Sequence, residues 1–380
     1  SKNEEMMKKD WTIKKLGELC RIRTGKLDAN AASPNGKYPF FTCSITPLKI
    51  DSFSFDCECV LVAGNGDLNV KYYEGKFDAY QRTYIIESLD KSLLDVKYLY
   101  LFLSSYIDTL RKQAIGAIIK YIKLGNLTDA NLPLPSLEEQ KRIVAVLDKK
   151  FAQIETLKTA AEKNLQNTKQ LFQAELEKAF SNTSWEKKQL GDYCEVTDGD
   201  HMPPPKSKTG YPFITISNID KDLYKINFED TFFVPEDYFK NLKDNRKPKK
   251  GDVLYTVTGS YGIPVLINGE KEFCFQRHIG LLRPNSSLSS EYLFYWILTP
   301  KAKSLADEVA TGTAQRTVSL GSLRTFEIPL PPLEEQKNIV AHLDSLSEKV
   351  HQLEEIYTKQ LANCDELKQS LLQKAFEGEL

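Results

Sequence analysis

Two Glu-Gln-Lys triplets, two isolated histidines, two glycine pairs and seven cysteines are the residues of this 380-residue chain best suited to chemistry. Glu139-Gln140-Lys141 and Glu335-Gln336-Lys337 match half of a nuclease Glu-x-Lys pattern. Each lies in the first turn of an expected helix, where capping and the helix dipole account for the carboxylates. His201 and His278 have no Ser or Cys partner at an informative spacing. Gly64-Asn65-Gly66 and Gly259-Ser260-Tyr261-Gly262 are not followed by the Lys-Ser/Thr of a phosphate loop. The cysteines (Cys20, Cys43, Cys57, Cys59, Cys194, Cys274, Cys364) are odd in number and form no CxxC pair. They support neither a zinc site nor a disulfide framework, and point to a reducing compartment. Cys57 and Cys59 alternate along an expected strand and read as buried thiols. No catalytic residue, metal or cofactor is expected.

The elements around these residues are organised by a repeat. LPLPSLEEQKRIVAVLD begins at Leu132 and IPLPPLEEQKNIVAHLD at Ile328, an offset of 196 residues that persists to Ala179-Phe180 and Ala375-Phe376. Prolines open each copy and cannot sit inside a helix. A long apolar-periodic run follows, free of Gly and Pro until Gly378. Ser136 stands three residues before Glu139, the spacing of a capping box; Pro332 replaces that serine in the second copy. The pattern predicts helices over about 137–181 and 333–377. Each would be on the order of 65 Å long at about 1.5 Å per residue. In the second, Leu343, Val350, Tyr357, Cys364 and Leu371 recur every seven, with Leu346, Leu353 and Leu367 between them and Gln360 breaking the seam. The matching first-copy seam is Leu147, Lys150, Ile154, Leu157, Ala161, Asn164, Thr168, Leu171 and Glu175. Sustained heptads argue that the two helices form a coiled coil.

Weaker repeats extend through the rest. Trp11 to Cys20 pairs with Trp185 to Cys194, Tyr38-Pro39-Phe40 with Tyr211-Pro212-Phe213, Gln81-Arg82 with Gln276-Arg277, and Gly116 with Gly312. Runs at 59–64 and 252–259 read as strands, and 97–113 and 291–308 as helices. The expected fold class is α+β: two mixed α/β domains, 1–136 and 182–332, each followed by a long helix, 137–181 and 333–380, an internal duplication compatible with antiparallel helices and pseudo-twofold symmetry. Net charge is −1, so bulk charge does not advertise a polyanion partner. The acidic excess falls on the second helix, with 5 basic and 10 acidic residues over 333–380, while 11–136 carries 16 basic and 13 acidic. The globular segments are therefore free to show local basic patches. No stretch reaches the roughly 18–20 apolar residues of a membrane span, and SKNEEMMKKDW has no signal-peptide core, so a cytoplasmic location is expected.

Two similar domains carried on a paired spine suit a long pseudo-symmetric ligand, and duplex DNA is one. The doubled PLP-x-LEEQ-x-x-IV-x-x-LD signature, the W-x-x-x-x-LG openings and the long helix after each variable domain resemble specificity subunits of type I restriction-modification systems, across essentially all of 11–377. The resemblance implies that each variable domain is a target recognition domain reading half of a split DNA site. It also implies that the helices space the domains and bind two modification (methyltransferase) subunits, that a translocating nuclease subunit joins for restriction, and that this chain does no chemistry. Consistently, an S-adenosylmethionine loop and an Asn/Asp-Pro-Pro-aromatic motif are missing; Pro203-Pro204-Pro205 is a stiff loop.

Expected DNA contacts come from loops. In the first domain they are Lys26, Asn65, Lys71, Tyr72, Gln81, Arg82, Lys120 and Lys123. In the second they are His201, Lys206, Lys208, Thr258, Ser260, Tyr261, Gln276, Arg277, Gln315 and Arg316. Arg suits guanine edges, Asn and Gln suit adenine, and Lys mainly suits phosphate. The basic run Arg246, Lys247, Lys249, Lys250 is expected to face phosphate or solvent. For the modification subunits the exposed helix faces offer Lys141, Arg142, Glu155, Glu162, Asn338, Glu348 and Glu355. The competing reading is an adaptor whose coiled coil joins two protein-binding domains.

Overall fold

The structure, a computed structural model, describes residues 11–201 and 204–380. It divides into two units, Ser1–Glu162 with Thr358–Leu380, and Lys163–Tyr357. Met202 and Pro203 of the proline loop lie outside the described residues.

The first unit is built on a six-stranded sheet. In spatial order its strands are Cys20–Thr24, Thr83–Ser88, Phe55–Ala63, Val70–Ala79, Tyr38–Phe41 and Leu48–Ile50. All neighbours run antiparallel except Tyr38–Phe41 with Val70–Ala79. Successive side chains point to opposite faces, and both faces are covered: Val60 and Val62 join one core, Cys59 and Leu61 another. One face packs on helix Val96–Gln113, joining Val60, Val62 and Ile86 to Leu99, Phe102 and Leu103 in one core. The second unit repeats this plan with its sheet split. Cys194–Asp198, Ile279–Pro284, Val253–Thr256 and Pro264–Leu266 form a four-stranded antiparallel sheet, and Phe232–Val234, Tyr211–Ile214 and Cys274–Phe275 a three-stranded one. The long strand Val70–Ala79 thus has two short counterparts here, separated by a segment containing Asn268-Gly269, a turn-forming pair that interrupts pairing.

The sequence reading of one helix over 291–308 is corrected. The structure has two, Ser290–Ile297 and Pro300–Val309. Pro300 lacks the N–H that would continue the first helix, and Thr299 caps the second, its hydroxyl oxygen accepting the Ala302 N–H at 3.2 Å.

The long helices run Leu137–Ala179 and Leu333–Phe376. At the first, the Ser136 hydroxyl accepts the Glu139 N–H at 3.3 Å, the serine half of the expected capping box. Within the first unit the beginning of one helix lies antiparallel to the end of the other. Lys158 pairs with Asp365 at 3.0 Å, and the Arg142 guanidinium donates to the Leu380 carbonyl at 2.7 Å. Within the second unit the His342 ring approaches Glu175 at 3.7 Å, and Leu176, Ile339 and Leu343 share its core.

The predicted seam is half right. Leu147, Ile154, Ala161 and Thr168 are buried every seven residues, as are Leu343, Val350 and Cys364, with Tyr357 and Leu371 half-buried. The intervening line is shifted. Leu157 and Leu171 are exposed, and Phe151, Leu165 and Phe172, one residue on, turn inward instead. Leu353 and Leu367 are also exposed, while Leu361 takes the inward place expected of Gln360. With about 3.6 residues per turn, an apolar stripe drifts across a helix that is not held to a strict seven-residue repeat.

Candidate nucleic-acid interface

The repeated signatures before each helix fix the globular part to it. Gln140 and Gln336 are completely buried. The Gln140 amide donates to the Leu93 and Pro135 carbonyls, both at 2.9 Å, and its oxygen accepts the Asp95 N–H at 2.9 Å. Gln336 repeats this, donating to Ser287 (3.0 Å) and Pro331 (2.9 Å) and accepting from the Ser289 N–H at 2.8 Å. Asp95 and Ser289 are themselves caps, accepting the N–H of Tyr98 and Tyr292. Those two tyrosines donate to the Pro133 and Pro329 carbonyls, each at 2.8 Å. Burial raises both phenols, Tyr98 and Tyr292, above their ordinary pKa. The far ends of the helices close the same cores: Phe376 packs on Tyr98 with ring centres 5.2 Å apart, and Phe180 on Tyr292 at 4.9 Å.

With the frame held, the strand ends gather four loops in the first unit. Gly64 N–H donates to the Arg82 carbonyl at 2.8 Å, Ile122 N–H to Gly64 at 2.9 Å, and Gly66 N–H to Lys120 at 2.8 Å. Gln81 N–H donates to Leu27 at 2.9 Å, which brings in the loop carrying Lys26. Lys26, Asn65, Gln81, Arg82 and Lys120 are thereby brought together, and Lys123 follows on the same segment. Among the described residues, Lys26, Arg82, Lys120 and Lys123 are exposed and take part in no ion pair. The Gln81 amide donates to Asp28 at 2.9 Å.

The second unit repeats the arrangement. Val257 N–H donates to His278, Val318 N–H to Val257 and Gly259 N–H to Arg316, at 3.0, 2.8 and 2.9 Å. A bridge from Asp200 to Gln276 adds the loop of His201. His201, Thr258, Ser260, Gln276, Arg277, Gln315 and Arg316 therefore share one edge. Several are engaged internally. The Thr258 hydroxyl accepts from Thr317 at 3.3 Å, the His201 ring lies 2.7 Å from Asp198, and Arg316 donates to the Asp307 and Ala310 carbonyls at 2.6 and 3.2 Å. Tyr261 is buried, its hydroxyl donating to Asp307 at 2.8 Å, and that hydrogen bond is the first cause raising its phenol above its ordinary pKa. Ser260, Arg277 and Gln315 remain exposed.

Four expected residues lie elsewhere. Lys71, on strand Val70–Ala79, is half-buried, hydrogen-bonded to Asn69, and held below the ordinary lysine pKa by desolvation. Tyr72 donates to Glu58 at 2.8 Å and packs toward the helix side of the sheet; burial, then that bond, raises its pKa. Lys206 and Lys208 stand on the loop bridged to the three-stranded sheet, with the Lys206 ammonium 5.1 Å from the centre of the Phe232 ring. The basic run divides: Lys249 and Lys250 stay exposed, as expected of a solvent-facing run, while Arg246 and Lys247 are half-buried against their own unit. Arg246 reaches Asp198 and Asp200 at 3.3 and 3.7 Å, Lys247 donates to the Lys240 carbonyl at 3.0 Å, and Lys249 pairs with Asp244 at 2.7 Å.

On the helices, Lys141, Arg142, Glu155, Glu162, Asn338, Glu348 and Glu355 are all exposed. Arg142 also pairs with Glu139 at 2.6 Å, and Glu355 with His351 at 3.2 Å. All seven cysteines are thiols, and Cys57 is only half-buried where a buried thiol was expected. No group of residues that could hold a metal ion occurs among the described residues, and no helix there is long and apolar enough to cross a membrane.

Comparison with known proteins bears on this geometry. A family model described as "Type I restriction modification DNA specificity domain" matches the chain twice, over 8–166 and 182–362. The specificity subunit of the type I restriction enzyme EcoDI from Escherichia coli is 31% identical, the match covering 98% of this chain and 89% of that one. The MjaVIII specificity subunit from Methanocaldococcus jannaschii is 24% identical over 98% of this chain and 93% of its own length. Among solved structures, a chain from a study of complex assembly and conformational transition of the type I R-M system superposes with a TM-score of 0.77 at 21% identity, covering 98% of this chain and 99% of that one. The HsdS subunit from Thermoanaerobacter tengcongensis gives 0.59, also at 21% identity, covering 98% of each chain. At those identities the structures speak to the fold.

Proposed function

The chain belongs to the type I restriction modification DNA specificity family, and from that membership we propose that each unit's gathered loops read one half of a bipartite, asymmetric DNA site. Segments 1–136 and 182–332 act as the recognition domains. Helices 137–181 and 333–380 set the spacing and dock two modification subunits, which carry out methylation, while a restriction subunit supplies translocation and cleavage. The chain itself contributes no catalytic group and works in the cytoplasm. The observation that supports this best is the repetition of one loop edge, with exposed Arg82 and Lys120 in one unit and Arg277 and Gln315 in the other, on matching backbone hydrogen bonds. The framework and its Gln-Arg pair repeat while other loop side chains differ, Asn65 against Ser260 and Ile119 against Gln315, as reading two different half-sites requires.

Methylated sites should be mapped in cells expressing the chain with its modification subunit. A split motif is expected, and exchanging residues 11–136 for another recognition domain should change only one half of it. An undivided motif, a change in both halves, or methylation by the purified chain alone would overturn the proposal.

A further inference from the structure

The loop after helix Val96–Gln113 closes into a small hairpin. Ile115 N–H donates to Tyr121 at 3.0 Å, and Tyr121 N–H returns to Ile115 at 2.8 Å. Gly116 makes the turn with φ of +118°, and a Cβ there would lie 2.2 Å from the Ile119 carbonyl oxygen. At the tip Ile118 is 97% exposed and Ile119 59%, with Ile115, Tyr121 and Leu124 also uncovered beside them. Scattered exposed apolar residues are ordinary, but a contiguous apolar tip on a constrained loop calls for a partner.

The second unit shows that the scaffold does not impose it. Its hairpin is closed by the Thr311–Thr317 pair and turned by Gly312 with φ of +107°. Ala314 and Gln315 occupy the places of Ile118 and Ile119. The flanks of the first tip carry Lys120 and Lys123, and Arg82 lies on the loop joined to it through Gly64, none of them ion-paired among the described residues. An apolar point set among uncompensated cations fits a nucleic-acid groove better than an apolar protein surface, because phosphates accept the cations while the base edge offers a methyl group.

We propose that Ile118 and Ile119 are specificity-determining residues that recognise thymine through its 5-methyl group in the half-site read by the first unit. The inference rests on the DNA-recognition reading above. Removal of one buried methyl changes affinity by roughly fourfold.

The test uses the complex reconstituted with its modification subunits and its mapped target, with each thymine replaced in turn by deoxyuridine, and affinity read by fluorescence anisotropy. At least one replacement in the first half should weaken wild-type binding by about fourfold or more. The double variant I118A/I119Q carries the tip tolerated by the second hairpin; it should bind the thymine target more weakly and lose the penalty for deoxyuridine. Complex yield and the salt dependence of binding should stay unchanged. A wild type indifferent to every deoxyuridine, a penalty persisting in the variant, or reduced assembly with the modification subunits would each overturn the inference, the last by assigning the tip to a protein partner. Failure of the wild-type complex to prefer any sequence would instead overturn the DNA reading itself.

Discussion

At the residue scale, Gln140 and Gln336 carry the most structural information, and the sequence disguised them. They sit inside Glu-Gln-Lys triplets, where the flanking charges drew attention as half of a nuclease pattern or as caps. Only the fold shows each amide completely buried and making three hydrogen bonds between a helix start and the backbone of its globular part. A buried backbone group deprived of its partner costs about 1–3 kcal/mol. Gln140→Ala and Gln336→Ala should therefore each destabilise the chain by roughly 2–4 kcal/mol, since water entering the gap recovers part of the loss. Denaturant unfolding of the full chain measures this, and losses under about 0.5 kcal/mol would show the clamp to be incidental. Tyr72 and Tyr261 illustrate the opposite error. Both are polar aromatic residues next to glycines or lysines in sequence, a pattern that reads as a loop surface. Their hydroxyls are instead donated to Glu58 and Asp307. Neither partner is near in sequence, so no local pattern could have revealed them.

At the element scale, legibility followed the range of the determining interaction. The long helices were readable because their start and continuity depend on local features: prolines before, then an uninterrupted run without Gly or Pro. The Thr299-Pro300 break was equally local, and the apolar density of Tyr292, Leu293, Tyr295 and Trp296 masked it. The inward line of the first helix was not readable. Whether Leu157 or its neighbour Lys158 turns toward the partner depends on where the other helix lies, and in the structure it is Lys158 that reaches across to Asp365. The glycine pairs at 64–66 and 259–262, weak as phosphate loops, proved to be joints of the loop edges. The Gly116 hairpin is such a joint, and its conformation is open to glycine because an added Cβ meets backbone at a positive φ. Gly116→Ala should reshape this tip at a cost of about 1–3 kcal/mol in local strain. Binding to targets altered in the first half should then lose its discrimination, while discrimination in the second half persists; Gly312→Ala should give the mirror result. Anisotropy against the two mismatched duplex sets distinguishes them, and equal effects on both halves would show that the hairpins do not act separately.

At the scale of the whole molecule, the duplication assigns framework and reader to different residues. Paired features at an offset of 196 residues are those that hold helices to domains: the buried glutamines, and the terminal phenylalanines that pack on Tyr98 and Tyr292. The Ile118 tip and its Ala314 counterpart share the framework offset and differ in chemistry, which is where two half-sites would differ. Spacing should then be a property of the helices alone. Seven residues inserted at matching points in both long helices preserve the inward line and add on the order of 10 Å of helix. At about 3.4 Å per base pair, the non-specific spacer of the mapped target should lengthen by roughly three base pairs, with both half sequences unchanged. Inserting four residues instead rotates the apolar stripe by about 40° from its partner, and should lower stability without giving a cleanly lengthened site. Methylation mapping reads both outcomes. An unchanged spacer after the heptad insertion would mean that something other than the helices measures the distance between the half-sites.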